Sequence, residues 1–255
     1  MEKYTEFKFS WTYTLAGHLR NKIIDNLPED YVSDYFDVED KKFQAKLLKA
    51  DKQTILHDYI ELEFRNEIEY ITDKIGTEDT EYDWEELLKD YKITHKSKIE
   101  IEDDENADYN YVTTLSLLIQ EQVAPKVAEE VFTVLFGDRQ FLLKLNELIA
   151  EKIKELEVSE HPDLLERDGV VKRATYFPVW VQRAVFLRDK GCCAVCLTDL
   201  TGLLKTDFND AIDHIVPLNL GGSNDITNFQ LICQKCNLEK LGHTIKTSEF
   251  YPKYF

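Results

Sequence analysis

Cys193-Ala194-Val195-Cys196 and Cys233-Gln234-Lys235-Cys236 form two C-x-x-C pairs with 36 residues between them, and Asp213-His214-Ile215-Val216-Pro217-Leu218 lies in that interval. Each pair can wrap one side of a zinc ion with sulfur at about 2.3 Å, and four thiolates leave no open coordination position. The spacing therefore predicts a structural zinc held by Cys193, Cys196, Cys233 and Cys236. All five cysteines fall between positions 192 and 236. Such clustering in a chain read as cytoplasmic indicates metal rather than disulfides, because cytosolic thiols stay reduced. Cys192 fits the first pair only by breaking its two-residue spacing, so it stays outside the set.

The interval is longer than a plain zinc ribbon needs. It carries, in order, Asp213-His214-Ile215-x-Pro217, Gly221-Gly222 and Asn228-Phe229-Gln230-Leu231-Ile232, with Asn237 and Lys240 directly after the second cysteine pair. This string resembles the HNH, or ββα-metal, endonuclease superfamily of the type whose hairpin and helix are tied by a four-cysteine zinc site. The resemblance covers roughly residues 178 to 245 and says nothing about residues 1–175. It implies phosphodiester hydrolysis, which requires a nucleophile drawn from water, a cation at the scissile phosphate and stabilisation of the leaving oxygen.

The residue chemistry agrees with that implication. A neutral imidazole near pH 7 takes a proton from water, which makes His214 the candidate general base. Asp213 is the candidate ligand of the catalytic metal. Adjacent strand residues point to opposite faces, so the two can flank one phosphate only where the strand bends or ends, as Pro217 suggests. By the resemblance, Asn228 holds the histidine ring through its carbonyl or positions the loop. The third signature position, usually histidine, is Asn237, giving an H-N-N variant; its amide oxygen suits Mg²⁺ or Mn²⁺ better than softer ions. His243 is a weaker substitute, six residues beyond that position. Lys240 either contacts phosphate or covers the zinc knuckle. Arg183 and Arg188, on a short helix expected from Val179 to Asp189, either reach phosphate or pack against the zinc site.

The remainder of the chain has a different character. Its formal charge of -18 is not evenly spread: from Tyr176 onward there are 8 acidic and 8 basic residues, so the whole excess falls on residues 1–175. Such a field repels a phosphate backbone, and this region is not expected to be a free-standing DNA-binding module. Phe7, Phe9, Trp11, Tyr13 and Leu15 alternate with polar residues and predict a half-buried strand or a docked extended segment. One helix is expected from about Phe43 to Ile71, and the acidic stretches Thr77–Glu86 and Glu100–Asp108 read as solvated faces. Helices follow from Ala124-Pro125 to Phe136 and from the N-cap Asp138 onward, the latter with Phe141, Leu145, Leu148, Ile149, Ile153 and Leu156 on one core-facing side.

These readings place an acidic, mostly helical domain at 1–170 and a small zinc-stapled ββα-metal nuclease domain at 171–255, an α+β chain. No segment approaches the roughly 18 consecutive apolar residues of a membrane span, and Met1-Glu2-Lys3-Tyr4 does not open a signal peptide. The expected protein is a cytoplasmic DNA endonuclease with structural Zn²⁺ and catalytic Mg²⁺ or Mn²⁺, of a bacterial type used in restriction, anti-phage defence or mobile-element biology. Its acidic domain is expected to bind a protein partner or to self-associate. The competing reading is a non-catalytic, zinc-containing subunit that binds nucleic acid or protein.

Overall fold

The computed structural model describes residues 6–25, 35–74, 77–98, 107–202 and 212–253. Most of the acidic stretch Glu100–Asp108 lies outside them. The fold is α+β, with helices dominating and, among the described residues, two small two-stranded sheets. Among the described residues no helix is long and apolar enough to cross a membrane. The chain divides into two compact units, one of residues 1–19 and 57–134, the other of 20–56 and 135–255.

The first unit is helical. Helix α1 (Thr12–Ile24) enters it, α3 (Ile55–Lys74) and α4 (Thr77–Asp90) follow, and α5 (Ala107–Leu118) runs through a π-helical turn at Ile119–Val123 into α6 (Ala124–Leu135). Pro125 explains that turn: without an N–H it cannot bond one turn back, and the wider turn, in which the Ala124 amide reaches Ile119 O, absorbs the defect. The strand expected at Phe7–Leu15 is not formed; the chain is helical from Thr12. Glu130, buried on α6, accepts from the amides of Lys8 and Phe9 at 2.8 and 2.9 Å and from Thr12 Oγ1 at 2.5 Å. A carboxylate 118 or more residues away thus satisfies the donors leading into the helix. Trp11 packs edge-on to Phe64, with Leu15 and Leu19 buried at the helical spacing of four that coexists with the alternation.

The second unit contains the cysteine-rich segment. It begins with α2 (Lys41–Leu48), capped by Asp40. The single helix expected over Phe43–Ile71 is two, because residues 49–54 leave the helix and α3 restarts at Ile55, whose amide is capped by Asp225 Oδ2 at 3.1 Å. Helix α7 (Arg139–Lys154) starts from Asp138 as expected, its side chain accepting from Gln140 N and Phe141 N, and buries Phe141, Leu145, Ile149 and Ile153. A hairpin, β1 (Leu165–Arg167) with β2 (Val170–Val171), follows, then α8 (Val179–Arg188). Strands β3 (Ile212–His214) and β4 (Phe229–Leu231) pair antiparallel, with Asp213 opposite Gln230 and His214 opposite Phe229, and α9 (Gln234–Lys240) closes the segment. Val181 and Val185 of α8 pack on Ile212, Ile226, Phe229 and Leu231, fixing that helix across the hairpin. A Cβ on Gly221 would stand 2.6 Å from Ala150 O, so the loop lies directly on α7, and φ of +85° makes glycine the residue that fits.

Candidate functional site

The four cysteines come together. Their sulfur atoms all lie within 4.8 Å of one another. Cys196 Sγ is 3.7 Å from Cys233 Sγ, close to the edge of about 3.8 Å that a tetrahedron with 2.3 Å zinc–sulfur bonds requires. Two loops supply the pairs. The first is held by Ala194 N donating to Leu231 O at 2.7 Å, and the second is the start of α9, where Cys236 N approaches Cys233 Sγ at 3.5 Å. The Thr198 hydroxyl, 3.1 Å from Cys196 Sγ, is the main cause of a lowered thiol pKa there, while burial raises those of Cys193 and Cys236. The donor set and its dimensions fit a zinc-stapled domain. Cys192 is not among the four.

Asp213 and His214 end strand β3, and the chain leaves the ladder with Ile215 N bonded to Asn228 O at 2.6 Å. They look in different directions. His214 is 5% exposed, its ring edge-on to Phe177 and Phe229 with centroids 6.5 and 5.1 Å away. Burial pushes its pKa down to about 4, against the opposing pull of the Asn224 hydrogen bond and the Asp213 charge, so the ring is neutral at pH 7. Asp213 meets Lys240 Nζ at 2.6 Å and Gln230 Nε2 at 3.0 Å. The Lys240 ammonium is buried and donates also to the His214 and Ile215 carbonyls. It therefore ties α9 to the strand end from inside and does not reach into solvent. Asn237 is exposed on the same helix, one turn before Lys240.

Asn228 acts on the loop. Its Oδ1 accepts from Val216 N at 2.8 Å, and its Nδ2 donates to Val216 O at 3.0 Å and Ser223 O at 2.9 Å. The imidazole's partner is instead Asn224, whose Oδ1 lies 3.2 Å from His214 Nε2. Asn224 is fully buried. Sequence reasoning passed over it, although Asn-Asp two residues after a glycine pair is the composition of a turn built by side chains. Asp225 confirms that character by accepting from Thr227 N at 2.9 Å and Thr227 Oγ1 at 2.7 Å.

The two arginines part company. Arg183 is exposed on α8. Arg188 is buried, with Nε and Nη2 on Asp189 at 3.0 and 2.9 Å, Nη2 also on Phe229 O at 2.6 Å, and the Phe136 ring 5.0 Å from its Cζ. Asp189 receives in addition Leu231 N at 2.8 Å and lies 3.6 Å from Arg139 Nη1. Arg139 in turn holds Ser248 O at 3.0 Å and donates to Phe250 O. This internal ion cluster joins α7, α8, β4 and the C-terminal segment. Arg173, which sequence reasoning also passed over, is exposed and near enough to His214 to depress its pKa.

Pairs of C-x-x-C thiols thus flank a hairpin whose first strand ends in Asp-His and which a short helix closes. Residues 193–249 match the family described as HNH endonuclease. This HNH segment contains all four clustered cysteines, Asp213, His214, Asn228, Asn237 and Lys240. No curated protein and no solved structure matches the chain.

Proposed function

We propose that the HNH segment hydrolyses phosphodiester bonds in DNA, with His214 as general base and with Asp213 and Asn237 holding a hard divalent cation, Mg²⁺ or Mn²⁺. The observation that carries this reading is the neutral, buried His214 at the end of β3 beside Asp213, within the segment that matches the endonuclease family. A neutral imidazole accepts the proton of an attacking water. Asp213 and Asn237 are oxygen donors, the type a hard ion prefers, and such an ion would supply charge to the phosphate and the leaving oxygen. Arg183 and Arg173 are exposed cations suited to flanking phosphates, whereas Lys240 and Arg188 serve the site from within. Residues 171–255 are the proposed functional domain. The acidic residues 1–170 are assigned to a protein partner or to self-association, supported by the charge excess that disfavours a DNA role for them. The biological setting proposed with this reading is restriction or anti-phage defence.

One observation favours the rival reading of a non-catalytic, zinc-containing binding subunit: the Lys240 ammonium already neutralises Asp213. A single assay separates the two. Purified protein is incubated with plasmid, linear duplex and single-stranded DNA in Mg²⁺, Mn²⁺ or EDTA. Cation-dependent cleavage is expected, and intact DNA in every lane would discard the nuclease reading.

A further inference from the structure

A histidine can act as a base only through the ring nitrogen that lacks a proton, and three main-chain groups around Asn224 decide which nitrogen that is. Ala174 N, which can only donate, lies 3.2 Å from Asn224 Oδ1. The Lys172 and Leu47 carbonyls, which can only accept, lie 2.8 and 3.3 Å from Asn224 Nδ2. The amide orientation is therefore set by neighbours whose polarity is unambiguous. Its oxygen faces His214 Nε2 at 3.2 Å and must accept a hydrogen bond from it, so the neutral ring carries hydrogen on Nε2 and keeps its lone pair on Nδ1. Asn224 N also donates to Leu47 O at 2.8 Å, so both ends of the residue are tied to the last turn of α2. We propose that Asn224 is the positioning residue of His214, fixing the tautomer that leaves Nδ1 as the base, and that Leu47 and Lys172, both outside residues 193–249, fix Asn224.

The catalytic half of this proposal rests on the nuclease reading; the tautomer half does not, and the experiment keeps them apart. The full-length protein is labelled with ¹⁵N, and the His214 ring nitrogens are assigned by their disappearance in His214→Gln. A single neutral tautomer protonated on Nε2 is expected at pH 8. Protonation on Nδ1 overturns the proposal. Asn224→Ala, judged folded by its zinc content, should mix the two tautomers and lower kcat about 10–100-fold, the usual effect of losing an orienting hydrogen bond, with KM within about twofold. Asn224→Asp keeps an acceptor for Nε2–H and should restore the tautomer and most of the rate. An alanine variant that holds zinc, keeps the Nε2–H tautomer and cleaves within about threefold of wild type overturns the assignment. If alanine prevents folding, the wild-type spectrum and the aspartate variant decide. Wild-type protein that cleaves nothing removes the nuclease reading, while the tautomer still decides whether Asn224 orients the ring.

Discussion

The cysteine cluster and the histidine centre are neighbours within one hundred residues, yet they are built on opposite principles. The cluster draws its four thiols from two short segments, and a zinc bound there would concentrate its free energy in four bonds. The histidine centre takes its order from hydrogen bonds that return from residues 47, 172 and 174, so its free energy is spread over segments far apart in the chain. The first can be removed by a chelator. The second can be loosened from a distance without touching the imidazole.

The largest effect should come from the concentrated site. Cys233→Ser is expected to lose the metal and the fold of the HNH segment together, since thiolate binding of structural zinc contributes about 10–16 kcal/mol in small modules. Elemental analysis should find one zinc per wild-type chain and none in the variant; zinc retained by a double substitution at Cys193 and Cys233 would show that the ion is held elsewhere. His214→Ala tests the other site. Cleavage should fall about 10²–10⁴-fold with zinc content unchanged, because a base contributes to rate and little to ground-state affinity. Excess Mn²⁺ should partly rescue Asp213→Ala and leave His214→Ala inactive, and equal cleavage by wild type and His214→Ala would end the nuclease reading.

Between the two lies the ion cluster on Asp189. Asp189→Ala leaves Arg188 and Arg139 buried without their shared carboxylate and should destabilise the protein by about 3–5 kcal/mol in urea unfolding. A loss under about 1 kcal/mol would mean that the arginines find other acceptors. A fragment spanning 171–255 separates local from distributed order most directly. It keeps every cysteine but loses Leu47 and Arg139, so it should bind zinc stoichiometrically and cleave about 10–100-fold more slowly than the full chain. Full activity in that fragment would show that the outlying residues are dispensable.

The same contrast explains what could be read in advance. The cysteine cluster was legible because a tetrahedral ion dictates C-x-x-C spacing, and α7 because its cap and apolar stripe lie within the helix itself. The start of α1 and the break before α3 were not legible, since each depends on a carboxylate, Glu130 or Asp225, distant in sequence. Asn224 stayed hidden for the same reason. Its partners are main-chain atoms, which leave no trace in residue type. The motif named Asn228 and the structure gives it the loop, the second of the two tasks that an amide could take there.

The smallest expected effect concerns two arginines five residues apart on α8, which sequence alone treated alike. Arg188 is consumed by Asp189 and Phe229 O, so its loss should appear as reduced stability. Arg183 is exposed, and on the nuclease reading it meets a phosphate. A single phosphate contact contributes a counterion-release slope of about 0.9 in log K against log salt, and little else, because it carries no sequence information. Arg183→Ala should therefore weaken DNA binding severalfold at low salt, equally for unrelated duplexes, and flatten that slope by about one. Its unfolding midpoint should not move, since replacing an exposed side chain changes stability by under about 0.5 kcal/mol. Titrations of wild type and Arg183→Ala at four salt concentrations measure the slope directly, in EDTA so that nothing is cut. An unchanged slope would remove Arg183 from the DNA face and leave Arg173, an exposed cation whose neighbours Lys172 and Ala174 are bonded to Asn224, as the next to test.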